Sequence, residues 1–325
     1  MQEAWGGDAS LLSIIHGMHL LIPFAAPLSD AGRAAAASLQ LPHLQQLLAS
    51  WSEVQRDEGD AMSWTPPHER ALASALGWQG GSGLLPWAAR LAEADRLDIG
   101  GRAWGLVTPV HWHLGTDQIS MLDPAALVLD AATSRTFFDA VVDLFTSEGF
   151  AMHWGAPQRW YLAHETLATM ATASLDRVIG RNVDAWLGDS PAMQRLRRLQ
   201  NEVQMLLYTH PANDQRERQG LLTVNSFWLS GCGVAQAVTG PEPGVDERLR
   251  GPALADDWAA WVKAWHTLDE GPLADLLGQP GGGACLTLCG ERSSACFEPV
   301  ERAVVQRLKA WWRRPPSPQD LLETL

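Results

Sequence analysis

Polar side chains that could bind a ligand are concentrated in residues 195–233. The pattern predicts a long helix over 193–208, a polar loop and a short strand that ends in a glycine-rich turn at 230–233. The candidate ligand-binding residues of this stretch are His210, Asn213, Arg216, Asn225 and Trp228. Because α/β proteins usually bind ligands beyond the carboxyl ends of their strands, we predict a binding site here. A hydrogen-bonded network that only stabilises the fold is the alternative.

A second group of candidates lies in residues 102–113, which are predicted to form a strand. Residues two apart in a strand share a face, so His111 and His113 can point into one pocket. Two imidazoles also begin a metal site, but Asp117 or Asp123 would be needed to complete it. Substrate hydrogen bonding and a structural role are the other interpretations. We predict no bound metal and no cofactor.

Two arginines, Arg177 and Arg181, are four residues apart in residues 173–187, whose apolar stripe predicts a helix. Two guanidinium groups on one helix face can clamp a phosphate or a carboxylate. The alternative is a solvated or ion-paired helix face, since Asp184 follows three residues after Arg181.

The charge of the chain limits its partners. The formal net charge is −13, whereas nucleic-acid binding depends on an excess of Lys and Arg, so we predict no nucleic-acid partner. A small anionic metabolite is compatible with this charge, because a local group of arginines can outweigh the global sign. The apolar run near the N-terminus is interrupted by His16, His19 and Pro23, which favours a buried strand and no membrane association.

The chain contains four cysteines: Cys232, Cys285, Cys289 and Cys296. None of them forms a C-x-x-C pair, and no histidines follow at zinc-finger spacing. We interpret them as free thiols in a reducing compartment, which predicts a cytoplasmic protein.

Alternating strand and helix patterns predict an α/β protein with a mostly parallel sheet flanked by helices. A Pro- and Gly-rich segment over 240–252 predicts the main internal boundary. We expect the following organisation: a leader over 1–17, a main α/β domain over 18–240, and a segment over 241–325 that packs on the same sheet and includes a helix over 299–312. A tryptophan stripe in a further predicted helix, formed by Trp258, Trp261 and Trp265, would suit a protein partner or a second copy of the chain.

Residues 210–233 resemble part of the archaeal-type cofactor-independent phosphoglycerate mutases. The residues that carry the resemblance are His210, Pro211, Asn213, Arg216, Asn225, Trp228, Gly231 and Gly233. Most of residues 18–295 also resembles a bacterial family of RpfE-like regulatory proteins, in stretches such as TPPHERALA, LVTPVHWH and VNSFWLSG. The resemblance implies a degenerate alkaline-phosphatase or phosphoglycerate-mutase fold and a ligand that bears a phosphate.

The chain departs from the mutases at the positions that carry their chemistry. Those enzymes need an Asp directly after the first strand, a Ser nucleophile, and Asp and His ligands for two metal ions. Here the first strand ends in Ile22-Pro23-Phe24, and His266 is the only histidine after Gly233. We therefore predict a regulatory protein that binds a small phosphorylated or carboxylated ligand. The alternatives are a metal-independent enzyme, with His111 or His210 as general acid or base, and a partner-binding structural protein.

Overall fold

The computed structural model describes residues 18–279, 283–299 and 317–325. The predicted leader over 1–17 lies outside the described residues, as does all but the first residue of the helix predicted over 299–312.

The described strands, in chain order, are β1 (His19–Ile22), β2 (Trp51–Asp57), β3 (Ala103–Val110), β4 (Trp112–Leu114), β5 (Ile119–Met121), β6 (Ala151–Ala156), β7 (Arg159–Ala163), β8 (Ser226–Val234), β9 (Gly244–Val245), β10 (Cys285–Cys289) and β11 (Ser294–Pro299). The described α-helices are α1 (Asp30–Ser38), α2 (Pro42–Ser50), α3 (Pro67–Ala75), α4 (Trp87–Ala94), α5 (Ala131–Ser147), α6 (Leu175–Val178), α7 (Pro191–Tyr208), α8 (Pro211–Arg218), α9 (Arg250–Leu254), α10 (Trp258–Leu268), α11 (Ala274–Gly278) and α12 (Pro318–Glu323). Short 3₁₀ helices span Pro124–Leu127, Glu165–Ala168 and Val183–Trp186, and a π-helical turn spans Asp269–Leu273.

The chain divides into two compact units that alternate along the sequence. We call residues 63–65 and 78–237 the central unit. The flanking unit contains, among the described residues, 18–62, 66–77 and those from 238 onwards. The domain boundary near residue 240 stays a prediction. In the two compact units, the first strand belongs to the same unit as the C-terminal segment.

The central unit is built on a four-stranded antiparallel sheet in the order β6-β7-β3-β8, with β4 and β5 as a separate hairpin. Alternate residues of β7 point to opposite faces, as the two-residue period of a strand requires. Trp160 packs into the core with Phe137 and Phe145 of α5. Tyr161 packs on the other face with Ala88 of α4. Both faces of this sheet are therefore covered by helices.

The flanking unit contains a five-stranded sheet in the order β2-β11-β10-β1-β9. Leu286 and Leu288 of β10 pack in a core with helices α1, α2 and α10. Trp261 and Trp265 of α10 are 0% exposed in this core, and their indole N–H groups donate to the carbonyls of Phe24 and Ala25. The prediction that this tryptophan stripe forms a surface for a partner is therefore corrected, because most of the stripe is buried within the flanking unit.

The fold is α/β with mixed sheets flanked by helices, but the predicted mostly parallel sheet is not found. Between the named strands, only the pairings of β1 with β9 and β10 are parallel. The physical reason is the length of the connections. Two residues join β6 to β7 and four join β10 to β11, whereas a parallel crossover needs a dozen or more.

Among the residues that the structure describes, no helix combines the length and the apolar character that crossing a membrane would require.

Candidate functional site

The stretch with the densest polar residues folds as α7, α8 and β8. Ser190 caps the start of α7, because its hydroxyl accepts a hydrogen bond from the Met193 N–H, and Pro191 occupies the first turn. The loop expected after His210 is a second helix instead. His210 caps α8 through its ring nitrogen Nδ1, which accepts from the Ala212 N–H at 3.2 Å. Helix α8 could not be predicted from the sequence, because its eight residues are mostly polar and carry no apolar stripe.

Asn213 fixes the backbone on either side of this second helix. Its amide nitrogen donates to the carbonyls of Leu207 and Val224, at 2.9 and 2.8 Å, and its side-chain oxygen accepts from the Val224 N–H at 2.9 Å. Asn213 is 4% exposed. A buried amide with its oxygen and both donations engaged in this way holds the end of α7 against the entry to β8.

Arg216 makes a comparable connection one turn later. Its Nε donates to the Leu222 carbonyl at 2.8 Å, and another guanidinium nitrogen donates to the carbonyl of Leu127. Burial lowers the pKa of Arg216 from its usual value, and the charge of Asp130 opposes that effect. The guanidinium thus links α8 and the segment before β8 to the 3₁₀ helix Pro124–Leu127.

Asn225 and His111 hold the chain where β3 passes into β4. The Asn225 side chain accepts from the Trp112 N–H at 2.7 Å and donates to the Trp112 carbonyl at 2.9 Å. His111 Nδ1 lies 2.8 Å from the carbonyl oxygen of Thr223. Because a carbonyl only accepts, Nδ1 carries a proton and donates it to Thr223.

The predicted glycine-rich turn at 230–233 is part of β8, which continues to Val234. Gly231 has φ +63°, and two residues of β8, Gly231 and Cys232, lie opposite one residue of β3. This is a β-bulge, which lets the strand continue past a residue in the left-handed region. The strand therefore does not end at the predicted turn.

Trp228 and the two arginines lie in separate settings. The Trp228 indole donates to the Ala173 carbonyl at 2.9 Å. The helix predicted over 173–187 is corrected, because α6 has only four residues and Gly180 follows with φ +74°. Arg177 is 2% exposed, whereas Arg181 is half-buried with its guanidinium 5.9 Å from the Trp186 ring centre. The two side chains do not share a helix face.

His113 lies on an exposed hairpin, whereas His111 is half-buried between β3 and β4. The strand expected over 102–113 is interrupted, since β3 ends at Val110 and β4 starts at Trp112 in a different sheet. His113 pairs with Ser120 of β5, and Ser120 in turn forms a bridge with Asn182. Residues directly opposite each other share a face, with Cβ atoms about 5 Å apart. We call His113, Ser120 and Asn182 the hairpin row.

Two members of the hairpin row, Ser120 and Asn182, were not predicted as site residues. Nothing local pairs Asn182 with Ser120, because the segment that contains Asn182 was expected to be helical. Apolar residues on either side of the turn at 115–118 are the local pattern that indicates a hairpin. Arg181 is next to Asn182 in the chain, and its guanidinium lies near the Trp186 ring.

A half-buried ion pair, also missed, connects the C-terminal end of α4 to β7 in the central unit. Asp95 accepts from Arg159 Nε and another guanidinium nitrogen at 2.9 and 2.7 Å, and from the Tyr161 hydroxyl at 2.6 Å. Burial by itself would raise the pKa of Asp95, but the hydrogen bonds from Arg159 and Tyr161 and the charge of Arg159 lower it overall. Burial and the hydrogen bond to Asp95 raise the pKa of Tyr161. Because Arg159 and Tyr161 both donate to Asp95, we interpret this arrangement as one that stabilises the fold.

The described residues therefore define an α/β protein with one antiparallel and one mixed sheet. No protein-family model and no curated protein matches the chain. Among solved structures it is similar to a cofactor-independent phosphoglycerate mutase from Thermoplasma acidophilum, with 15% identity, 94% of this chain and 98% of that chain covered, and a TM-score of 0.37. It is also similar to the PH0037 protein from Pyrococcus horikoshii, with 12% identity, 88% of each chain covered and a TM-score of 0.42.

Proposed function

We propose that the chain is a phosphoglycerate mutase-related protein of the RpfE-like kind, which binds a small phosphorylated or carboxylated ligand and acts as a regulatory protein. The sequence resemblance over most of residues 18–295 supports the type of ligand. The observation that carries the proposal is the hairpin row, since it aligns three polar side chains at an accessible edge of the central unit.

The hairpin row offers the donors that an anion requires. His113 contributes an imidazole and Ser120 a hydroxyl. The Asn182 side-chain oxygen accepts from the Asp184 N–H at 3.1 Å, so its amide nitrogen is the group that can donate to a ligand. Hydrogen bonds to an ionised acceptor are roughly twice as strong as those between neutral groups.

The other predicted ligand-binding residues support this row by positioning it. Asn225 binds both backbone groups of Trp112, the first residue of β4. His111 precedes Trp112 and is held by the Thr223 carbonyl. Asn213 and Arg216 fix the segment that contains Thr223 and Asn225. In this proposal these residues set the geometry of the hairpin, and the ligand contacts the row.

The end of β1 favours binding over phosphoryl transfer. The mutases that the sequence resembles carry an Asp after the first strand, and this chain has Pro23 and Phe24 there. The Phe24 ring lies 5.2 Å from that of His68 within the flanking unit. A phenyl ring cannot ligate a metal ion, so this position supplies no ligand for the two-metal chemistry of those enzymes.

A titration calorimetry series tests the proposal with 3-phosphoglycerate, other sugar phosphates and small carboxylates. His113→Ala, Ser120→Ala and Asn182→Ala each remove one donor to an anion, so we expect each to weaken binding by about 10- to 100-fold. Gln118→Ala, in the turn of the same hairpin, is the matched control and should bind as the parent does.

Two results of this series would contradict the proposal. If none of these anions binds, or if the three variants bind as tightly as Gln118→Ala, the proposal fails. Turnover of a bound phosphorylated metabolite would instead favour the metal-independent enzyme. In that case His111→Gln should abolish turnover.

A further inference from the structure

Three metal-ligating side chains come together on one face of the sheet of the flanking unit. His19 of β1 is the register partner of Cys285 of β10. Thr287, two residues further along β10, is opposite Cys296 of β11. Positions two apart in a strand share a face, so all four side chains lie on the same side of three neighbouring strands.

The ligand atoms of this group lie close enough together to share a single ion. Among the described residues, His19, Cys285 and Cys296 have their ligand atoms within 4.8 Å of one another. The two sulfur atoms are 2.7 Å apart, and His19 Nε2 is 2.8 Å from the Thr287 hydroxyl. All the cysteines are free thiols.

We propose that His19, Cys285 and Cys296 form a binding site for a divalent cation of the zinc class. Thiolate and imidazole are the ligands that zinc prefers, at about 2.3 Å for sulfur and 2.0–2.1 Å for nitrogen. Tetrahedral coordination at these lengths separates two sulfur ligands by about 3.8 Å. The cysteine side chains therefore move apart by about 1 Å when the ion binds.

The charge balance favours a divalent ion. Binding displaces one proton from each thiol, so two thiolates and a neutral imidazole neutralise a charge of +2 without any change in oxidation state. A neutral cluster suits this half-buried position, since an uncompensated charge there would be costly. A carboxylate-preferring ion such as Mg²⁺ is disfavoured by the sulfur ligands.

The surroundings provide both access and support. Cys285 is buried, while His19 and Cys296 are half-buried, so the cation can enter from the surface. The buried Thr287 hydroxyl hydrogen-bonds to His19 at 2.8 Å, and Thr287 is the register partner of Cys296, which makes it the positioning residue of the site. Three protein ligands leave one coordination position for water, and a bound ion would join β1, β10 and β11.

The test uses the full chain, reduced and stripped of metal, and titrated with Co²⁺ as the probe. We expect one equivalent to give the visible bands of tetrahedral cobalt and a thiolate-to-cobalt charge-transfer band, and one equivalent of Zn²⁺ to remove both. His19→Gln, Cys285→Ser and Cys296→Ser should each weaken binding by more than the roughly 10- to 100-fold that loss of an outer-shell partner costs. Thr287→Val should fall within that range.

Cys289→Ala is the matched control, since Cys289 is a buried thiol of the same strand outside the group. It should keep the cobalt spectrum of the parent, and far-ultraviolet circular dichroism checks that every variant is folded. The inference is overturned if no charge-transfer band appears, or if the ligand variants bind Co²⁺ as tightly as Cys289→Ala. It is also overturned if air oxidation links Cys285 to Cys296 while the reduced chain binds no metal. The site shares no residue with the hairpin row, so either proposal can fail without the other.

Discussion

Asn213 holds the backbone of Val224 from both sides, because its side-chain oxygen accepts from the Val224 N–H at 2.9 Å and its amide nitrogen donates to the Val224 carbonyl at 2.8 Å. The same amide nitrogen donates to the carbonyl of Leu207. The side chain of Asn213, which is a predicted ligand contact, is thus the hydrogen-bond partner of three buried backbone groups. Its ligand-binding role stays a prediction, whereas its effect on stability follows directly from these bonds.

Replacing Asn213 by Ala should lower the free energy of unfolding by about 3 kcal/mol, because several buried polar groups lose their partner at once. Urea denaturation followed by circular dichroism measures the change. Asn201→Ala, at an exposed position of α7, is the control and should be close to the parent. Equal midpoints for the two variants would show that Asn213 is not a structural clamp.

Arg216→Lys tests whether the buried guanidinium bridges two segments. A lysine cannot reach the carbonyls of Leu222 and Leu127 with the same planar geometry, so we expect a loss of about 2 kcal/mol. Arg218→Lys makes the same change at an exposed position of α8. Urea unfolding of both variants gives the comparison, and a difference below about 0.5 kcal/mol would contradict the bridging role.

The bulge in β8 makes Gly231 hard to replace. A Cβ there would lie 3.0 Å from both the Ala88 nitrogen and the Trp87 Cβ, in addition to the strain of φ +63°. Gly220 has a similar φ of +72°, and no other atom lies within 4 Å of the place that a Cβ would occupy there. Gly220→Ala therefore carries the backbone strain alone, about 1 kcal/mol.

We expect Gly231→Ala to cost about 1–2 kcal/mol more than Gly220→Ala in a thermal or urea unfolding experiment, because of crowding against α4. Equal costs for the two variants would mean that α4 moves away freely, and that the close approach of strand and helix is not rigid.

The Asp95–Arg159 pair predicts a pH dependence of stability. The pKa of Asp95 is lowered in the folded state, so its contribution is present above the unfolded pKa of about 3.9 and is lost as the pH falls through the folded value. Asp95→Asn should therefore be less stable than the parent at pH 7, by about 2 kcal/mol. This is less than for a fully buried pair, since the Arg159 side chain is 25% exposed.

Urea unfolding at a series of pH values checks this prediction. The difference between the parent and Asp95→Asn should shrink as the pH falls below about 4. Asp139→Asn, at an exposed position of α5, should show no such convergence. A gap that stays constant from pH 7 to pH 3 would mean that the ion pair does not govern the acid response.

Several elements could be predicted from local patterns alone. The long helix expected over 193–208 is α7, because Leu196, Leu199, Val203 and Leu207 recur at helical spacing and are buried together. Much of the strand expected over 102–113 is β3. In both cases the period of apolar residues reports one face that must be covered, and this information lies within a single segment.

The helix expected over 173–187 shows where such patterns fail. An apolar stripe runs through the segment, but Gly180 adopts a left-handed conformation and the chain then pairs with β5 through Asn182. The pairing partner is about sixty residues away in the sequence. A local pattern cannot include that interaction, and it outweighs the helical preference.

The sequence by itself predicted a set of candidate polar residues and roughly which segments are helices or strands. Only the tertiary structure decided what those residues bond to: Asn213, Arg216 and Asn225 bind backbone groups, whereas His113 meets Ser120 and Asn182 in one row, and His19 meets two cysteines. The reason is physical. Apolar periodicity is a property of neighbouring residues, whereas hydrogen-bond partners and strand register depend on segments that meet only when the chain has folded.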